Sequence, residues 1–224
     1  MVQKEKARRG RPRAYDPDVA LTQAMNAFWD AGYAATSLDD LSAATGMNRP
    51  SLYAAFGDKR AIYQKAVTQY RTAMRTAMKG TFLYDRPLRE ALKRISEAAL
   101  SIYLSGETRP RGCFLISTAV PEAVTDADVR AALTDGMRAL DQALETRIRF
   151  AQEHGDLTSD AKPEVLAKMA AAVLSSLSIR ARAGETREEL NAIIEAGLDL
   201  ICGPLRAATP RTPSAPARRR TQAR

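Results

Sequence analysis

The stretch TSLDDLSAATGMNRPSLYAAFGDK, residues 36–59, decides how the chain is read. Ser37 stands just before the apolar Leu38, and Asp40 follows three positions after the serine. That is capping-box spacing, in which a hydroxyl and a carboxylate each satisfy a backbone N–H at a helix start. Leu38, Leu41 and Ala44 recur at helical intervals, which predicts one buried face. Gly46 predicts the end of that helix, because glycine takes the left-handed conformation at a C-terminus without steric cost. Asn48 is placed to cap a second helix, and Pro50 fits its first turn, where no backbone N–H is owed to a carbonyl. Leu52 and Phe56, four apart, point inward, while Arg49, Ser51 and Tyr53 face elsewhere. Gly57 closes the second helix and Asp58 can cap a third that starts at Lys59.

Two short helices around a glycine turn form the helix-turn-helix pattern, in which the second helix enters the major groove of DNA. The same pattern also serves small helical hairpins with no nucleic-acid role. On the N-terminal side, Asp16 and Pro17 predict the start of a first helix, with Leu21, Ala24, Met25 and Phe28 inside, Trp29 beside them and Gly32 as the stop. Trp29 and Tyr33 read as core. On the C-terminal side, Ile62, Ala66, Tyr70, Met74 and Met78 at steps of four predict a helix over 59–78. A helix of about 20 residues spans about 30 Å, enough to join this unit to whatever lies behind it.

The formal charge of +8 is unevenly spread over the 224 residues. Residues 1–13 carry net +5 and residues 205–224 carry net +6, which leaves −3 for the rest. Residues 14–71 hold six acids and five bases, so the helix-turn-helix unit is not basic by itself and the N-terminal arm supplies a large electrostatic share. Both ends lack hydrophobic periodicity and read as disordered arms. Within the first, Gly10-Arg-Pro-Arg13 resembles the core of an AT-hook, whose arginines (here Arg11 and Arg13) lie in a narrow minor groove. A nonspecific tail on phosphates is the other reading.

No run of about 18 apolar residues exists, so a membrane span is not expected. The basic N-terminus has no apolar stretch after it, unlike a secretory signal. Cys113 and Cys202 lack metal-ligand spacing and read as reduced thiols in a cytoplasmic protein. His154 has no companion histidine, and neither a phosphate-binding glycine loop nor a nucleophile elbow is present. An enzyme is therefore not expected, nor a metal or cofactor.

The remainder is a succession of helices. Pro87 opens one carrying Leu88, Leu92, Ile95, Ala99, Ile102 and Tyr103; residues 105–112 form a loop; Cys113 begins an apolar helix ending near Pro121 and Glu122. Asp126 or Asp128 starts a long amphipathic helix ending at His154-Gly155. Pro163 opens the next, lined by Leu166, Met169, Ala170, Val173, Leu174 and Leu177, with small residues over much of the rest. A helix apolar nearly all round must be covered on more than one side. The last, over 187–202, turns Leu190, Ile193, Ile194, Gly197, Leu198 and Ile201 inward.

Thr36-Ser37, Ala44-x-Gly46, Ser51-Leu52-Tyr53 and Phe56-x-x-Lys59 closely resemble the signature of the TetR/AcrR family of bacterial transcriptional regulators, over roughly 14–70. The resemblance implies an all-α fold of about nine helices. A basic arm (1–13) precedes a three-helix DNA-binding domain (14–74, motif 37–56). A helical effector-binding and dimerisation domain (75–204) and a basic tail (205–224) follow. It implies that Asn48, Arg49, Pro50 and Ser51 lie nearest the base edges. Arg49 is suited either to guanine or to a phosphate. Tyr53 looks like the family's phosphate-contacting tyrosine, and Thr36, Ser37 and Lys59 can serve phosphates at helix starts.

In the family the last two helices pack on their copies in a second subunit. That implies a homodimer joined through Leu166, Ala170, Val173, Leu177, Leu190, Ile194, Gly197 and Ile201; the other reading makes these an intrachain core. The partner DNA is then a palindromic operator, from which a small, largely apolar effector releases a repressor. By the same analogy Met74, Met78, Tyr103, Cys113, Phe114, Ser117 and Met137 line the effector pocket, unless each is ordinary core. Cys113 follows Arg109, Arg111 and Gly112 at a helix start, where positive charge and the helix dipole can lower a thiol pKa; a packed thiol is the plainer reading. The alternative function is an effector-independent, architectural DNA-binding protein resting on the two basic arms.

Overall fold

Asp16 accepts hydrogen bonds from the backbone N–H groups of Asp18 and Val19, and Pro17 occupies the first turn, so α1 runs Pro17–Ala31 and stops at Gly32. In this computed structural model, residues 15–78, 80, 82, 84–106, 109–157 and 160–203 are described. The arms at 1–13 and 205–224, with Arg11 and Arg13, lie outside the described residues. Ser37 and Asp40 form the capping box that starts α2 (Leu38–Thr45), which ends at Gly46 in the left-handed region (φ 63°). Asn48 caps α3 (Arg49–Phe56), and the Asp58 carboxylate accepts from Ala61 N–H at the start of α4 (Lys59–Met78).

Behind α4 come α5 (Leu88–Tyr103), α6 (Val120–Glu122), α7 (Ala127–Glu153), α8 (Pro163–Ala183) and α9 (Arg187–Cys202). The apolar helix expected from Cys113 to Pro121–Glu122 is present as a continuous helical segment over 114–122, but its middle, Leu115–Ala119, is π-helical before it passes into α6. Pro121 accounts for the irregularity: its nitrogen has no hydrogen for the carbonyl four residues back, and its ring crowds that carbonyl. Gly112 before this turn has φ +70°, and a Cβ there would meet the Ser178 carbonyl oxygen at 2.7 Å. Glycine is therefore what lets this segment lie against α8, where Cys113 N–H donates to Ser178 Oγ at 2.7 Å.

Two cores result. One gathers α5, α7, α8 and α9 around Leu92, Ile95, Leu144, Ile148, Leu177 and Ile194. The other holds α1 to α4 but reaches past position 74 to take in Phe114, Ala119 and Val129. The hydrophobic unit beneath the helix-turn-helix is thus larger than the stretch 14–74 expected from sequence. An aromatic cluster ties it together: Phe114 meets Trp29, Tyr63 and Tyr70 at ring-centroid distances of 5.6, 5.9 and 5.4 Å. Met74, Ile102 and Cys113 pack against both cores and mark the seam.

Polar contacts cross the same boundary. Arg60 of α4 pairs with Asp126 and Asp128 at 2.7 Å each, Arg111 pairs with Asp30 at 2.9 Å, and Arg182 donates to the carbonyl oxygen of Trp29. Arg147 is buried, donates to the Arg86 carbonyl oxygen at 2.5 Å, and lies 5.7 Å from the rings of both Tyr84 and Phe150. It fixes the connection between α4 and α5 onto α7.

Candidate nucleic-acid interface

α3 is anchored from beneath and open above. Leu52 is fully buried and Phe56 nearly so, while Asn48, Arg49, Pro50 and Tyr53 are exposed. The inward pair fixes the helix axis and the outward set forms a surface at its N-terminal end. Asn48 Oδ1 accepts the Ser51 N–H at 2.9 Å, so its carbonyl end is spent on capping the helix. Tyr53, 48% exposed, presents its hydroxyl from the next turn.

Arg49 does not float free. Its Nε donates to Asp39 Oδ1 at 2.9 Å and its Nη2 to Asp39 Oδ2 at 2.5 Å. The hydrogen bonds to Asp39 and its charge raise the guanidinium pKa above its ordinary value. Asp39 was absent from the sequence-derived site. It lies in the first turn of α2, ten positions ahead of Arg49, and no local spacing rule connects the two.

Three expected contacts are placed differently. Thr36 is buried and its hydroxyl donates to the Gly32 carbonyl oxygen at 2.7 Å, which ties the α1–α2 turn and removes the group from the surface. Ser37 Oγ donates to Asp40 Oδ2 and accepts from Asp40 N–H, while Ser37 N–H donates to the same carboxylate. The capping box consumes what Ser37 was expected to offer a phosphate; these same bonds hold the Asp40 carboxyl below its ordinary range. Lys59 is half-buried, with Nζ 4.5 Å from the centroid of the Tyr33 ring and 3.5 Å from the Ala34 carbonyl oxygen. It clamps the turn before α2 as much as it faces outward.

The residues expected to line an effector pocket are divided between the two cores. Met78 and Tyr103 belong to the rear core, Phe114 to the forward one, and Met74 and Cys113 to the seam. Ser117 Oγ donates to the Arg111 carbonyl oxygen, and Met137 is 59% exposed on the outside of α7. Periodicity found the apolar residues, but it could not say which of two cores each would join. A small cavity of about 20 Å³ lies between α5, α7, α8 and α9, beside Ser96 and Leu144. That volume holds about one water.

Cys113 sits in the packed role. Arg109 and Arg111, expected to lower its pKa, turn to the Asp30 carbonyl oxygen and the Asn26 side chain of α1. Burial pushes the thiol up from its ordinary value, against the hydrogen bond donated by Tyr70 at 3.3 Å.

The expected dimer residues are likewise intrachain. Leu166, Ala170, Leu177, Leu190, Ile194 and Ile201 are buried in the rear core of a single chain. A Cβ on Gly197 would stand 3.0 Å from Val173 Cγ2, so these two meet each other where α8 crosses α9. The inward stripe was read as the interface because sequence shows that a helix is apolar, not which face a neighbouring helix has already taken. The outer face of α8 carries Val165, Met169 and Ile179, 50, 50 and 58% exposed, with Ala172 and Ser176 between them. Leu200 of α9 is 79% exposed.

Comparison with known proteins identifies the family of this chain. Residues 20–66 match the model of "Bacterial regulatory proteins, tetR family", and residues 89–197 match "Tetracyclin repressor-like, C-terminal domain". The HTH-type transcriptional repressor ComR of Escherichia coli is 30% identical over 186 residues, which cover 83% of this chain and 88% of ComR. The repressor BdcR of the same organism is 29% identical, covering 85% of this chain and 91% of BdcR. Among solved structures, a triple cysteine mutant of the TetR-family regulator CifR, complexed with 26-bp double-strand operator DNA, is similar. It superposes with a TM-score of 0.72 at 33% identity, covering 84% of this chain and 98% of that one. No described helix is long and apolar enough to cross a membrane.

Proposed function

Because this chain belongs to the TetR family of bacterial regulatory proteins, we propose that it is a homodimeric repressor that reads a palindromic operator with α3 and is released by a small, largely apolar effector. The observation that carries the reading is the divided face of α3. Leu52 and Phe56 lock it to the core, while Asn48, Arg49, Pro50 and Tyr53 are exposed at its N-terminal end. This end enters the major groove, with Arg49 reaching bases and Tyr53 a phosphate. Ser51 is half-buried at the rim, and Lys59 serves the backbone from the start of α4. Binding, not catalysis, is the activity, and its place is the bacterial cytoplasm.

The second copy covers the outer faces of α8 and α9. Val165, Met169, Ala172, Ser176 and Ile179 alternate at steps of four and three, the spacing of a helix–helix seam. Exposed apolar residues in such a row favour a dry partner over water. A two-fold dimer places two copies of α3 about 34 Å apart or at a multiple of it, and so calls for a palindrome.

Release acts through α4, which carries α3 at one end and meets both cores through Met74. An effector that wedges the seam near Met74, Ile102 and Cys113 shifts the population towards a dimer whose recognition helices no longer match the operator. Fluorescence anisotropy on DNA from upstream of the gene, against a scrambled duplex at about 0.15 M salt, tests the reading. Tight binding to one palindromic fragment, weakened by a small apolar molecule, is expected. Equal binding to both duplexes, collapsing with salt, would put the architectural alternative in its place.

A further inference from the structure

We propose that Asp39 is a specificity-determining residue of the DNA-reading surface, holding one edge of the Arg49 guanidinium so that the other edge is presented to a guanine. The inference deepens the operator-binding reading above and rests on it.

A guanidinium offers its five N–H groups along two usable edges, one formed by Nε with a terminal nitrogen and one by the two terminal nitrogens. Asp39 takes the first edge, through Nε at 2.9 Å and Nη2 at 2.5 Å. Both N–H groups of Nη1 and the second of Nη2 are left over by this pairing. Guanine presents O6 and N7 side by side in the major groove, which suits that end-on fork.

Both partners are held by rigid elements. Asp39 sits in the first turn of α2, whose start is fixed by the Ser37–Asp40 box one residue away. Arg49 is the first residue of α3, fixed by Asn48 as cap and by buried Leu52. Leu41 of α2 and Met47 of the turn are buried in the same core as Leu52 and Phe56 of α3, so the angle between α2 and α3 is set by packing.

The site of the pair argues for this role over a stabilising one. The side chains are 54% and 74% exposed, where an ion pair adds little to folding. A carboxylate on a surface that meets a polyanion opposes binding. Its presence is understandable if it removes Arg49's freedom to settle on any phosphate. Asp39 then gives up affinity for all DNA in exchange for discrimination at one base pair of each half-site.

The test is selection from a pool of duplexes with a randomised centre, using the full-length wild type, Arg49→Ala, Asp39→Ala and the isosteric Asp39→Asn. The wild type should enrich a palindrome with one guanine per half-site preferred by roughly tenfold or more. Arg49→Ala and both Asp39 variants should flatten that same position, while Asp39→Ala binds a scrambled duplex at least as tightly as wild type. Circular dichroism on each variant should show unchanged helix content, since Asp39 is not part of the capping box. Asp39 variants that keep the guanine preference while binding every duplex more tightly would show that Asp39 only repels, and would overturn the proposal. So would an Arg49→Ala protein with the preference intact. A wild type that enriches no sequence overturns the operator reading itself, before any variant is used.

Discussion

The N-terminal end of α3 and the outer face of α8 are both exposed surfaces on helices whose opposite faces are buried, yet they wait for opposite partners. The α3 surface is Asn48, Arg49, Pro50 and Tyr53, with its one cation already oriented by Asp39. It is built to meet hydrated phosphates and base edges. The α8 surface is Val165, Met169 and Ile179, half or more exposed and without charge of their own. It is built to be dried. What each helix does is written in the residues left outside after the core has taken its share. The two faces of α8 make the point sharply: Leu177 is fully buried and Ile179, two residues on, is 58% exposed.

The largest effect should come from charging the apolar surface. Ile179→Glu is expected to give a monomer by light scattering and to weaken operator binding by about 10²-fold or more, because each half-site then binds alone. Helix content should be unchanged. An Ile179→Glu protein that stays dimeric would break the comparison. Its buried neighbour should behave in the opposite way. Leu177→Ala should cost about 2–5 kcal/mol of folding stability in chemical denaturation. If Leu177→Ala left stability intact while splitting the dimer, the assignment of faces would be reversed.

The core beneath α3 has its own signature. Burial pushes the Tyr63 hydroxyl up to about 12, although its hydrogen bond with Thr118 works against this. The unfolded chain ionises that group near 10, so the folded state holds the proton longer. Stability is therefore fully present below about pH 10 and is lost as pH rises towards about 12, by about 2–3 kcal/mol for this group. Tyr63→Phe should remove part of that alkaline slope in urea titrations at a series of pH values. An unchanged slope would show that Tyr63 is not its source.

The smallest effect sharpens the polar side. Tyr53→Phe should weaken binding to operator and scrambled duplex alike by about 1 kcal/mol, since a phosphate contact carries no sequence information. Folding stability should move by less than about 0.5 kcal/mol. A change confined to the operator would move Tyr53 from the backbone to the bases.

Much of this was legible in the chain. Asp16, Ser37, Asn48 and Asp58 each cap the helix they were read to cap, because a cap is a bond between neighbours in sequence. Gly46 and Pro50 sit where their backbone limits require. The α3 surface was recovered because its polar residues interrupt an apolar stripe. Thr36 and Ser37 read as phosphate donors because a hydroxyl near a helix start serves a phosphate and the chain's own polar groups equally well, and here the chain's own groups take them. Phe114 was assigned to a pocket because an apolar residue carries no label for the core it joins.

The sequence by itself determined the helices, their ends, the helix-turn-helix and the face of α3 that points outward. These follow from periodicity and from hydrogen bonds a few residues long. Only the tertiary structure decided that Asp39 grips Arg49, that Phe114 belongs under Trp29 and Tyr70, and that Val165, Met169 and Ile179 are left outside. Each of those depends on which helices come to lie side by side. That is fixed by packing between segments far apart in the chain, where a one-dimensional pattern carries no distance.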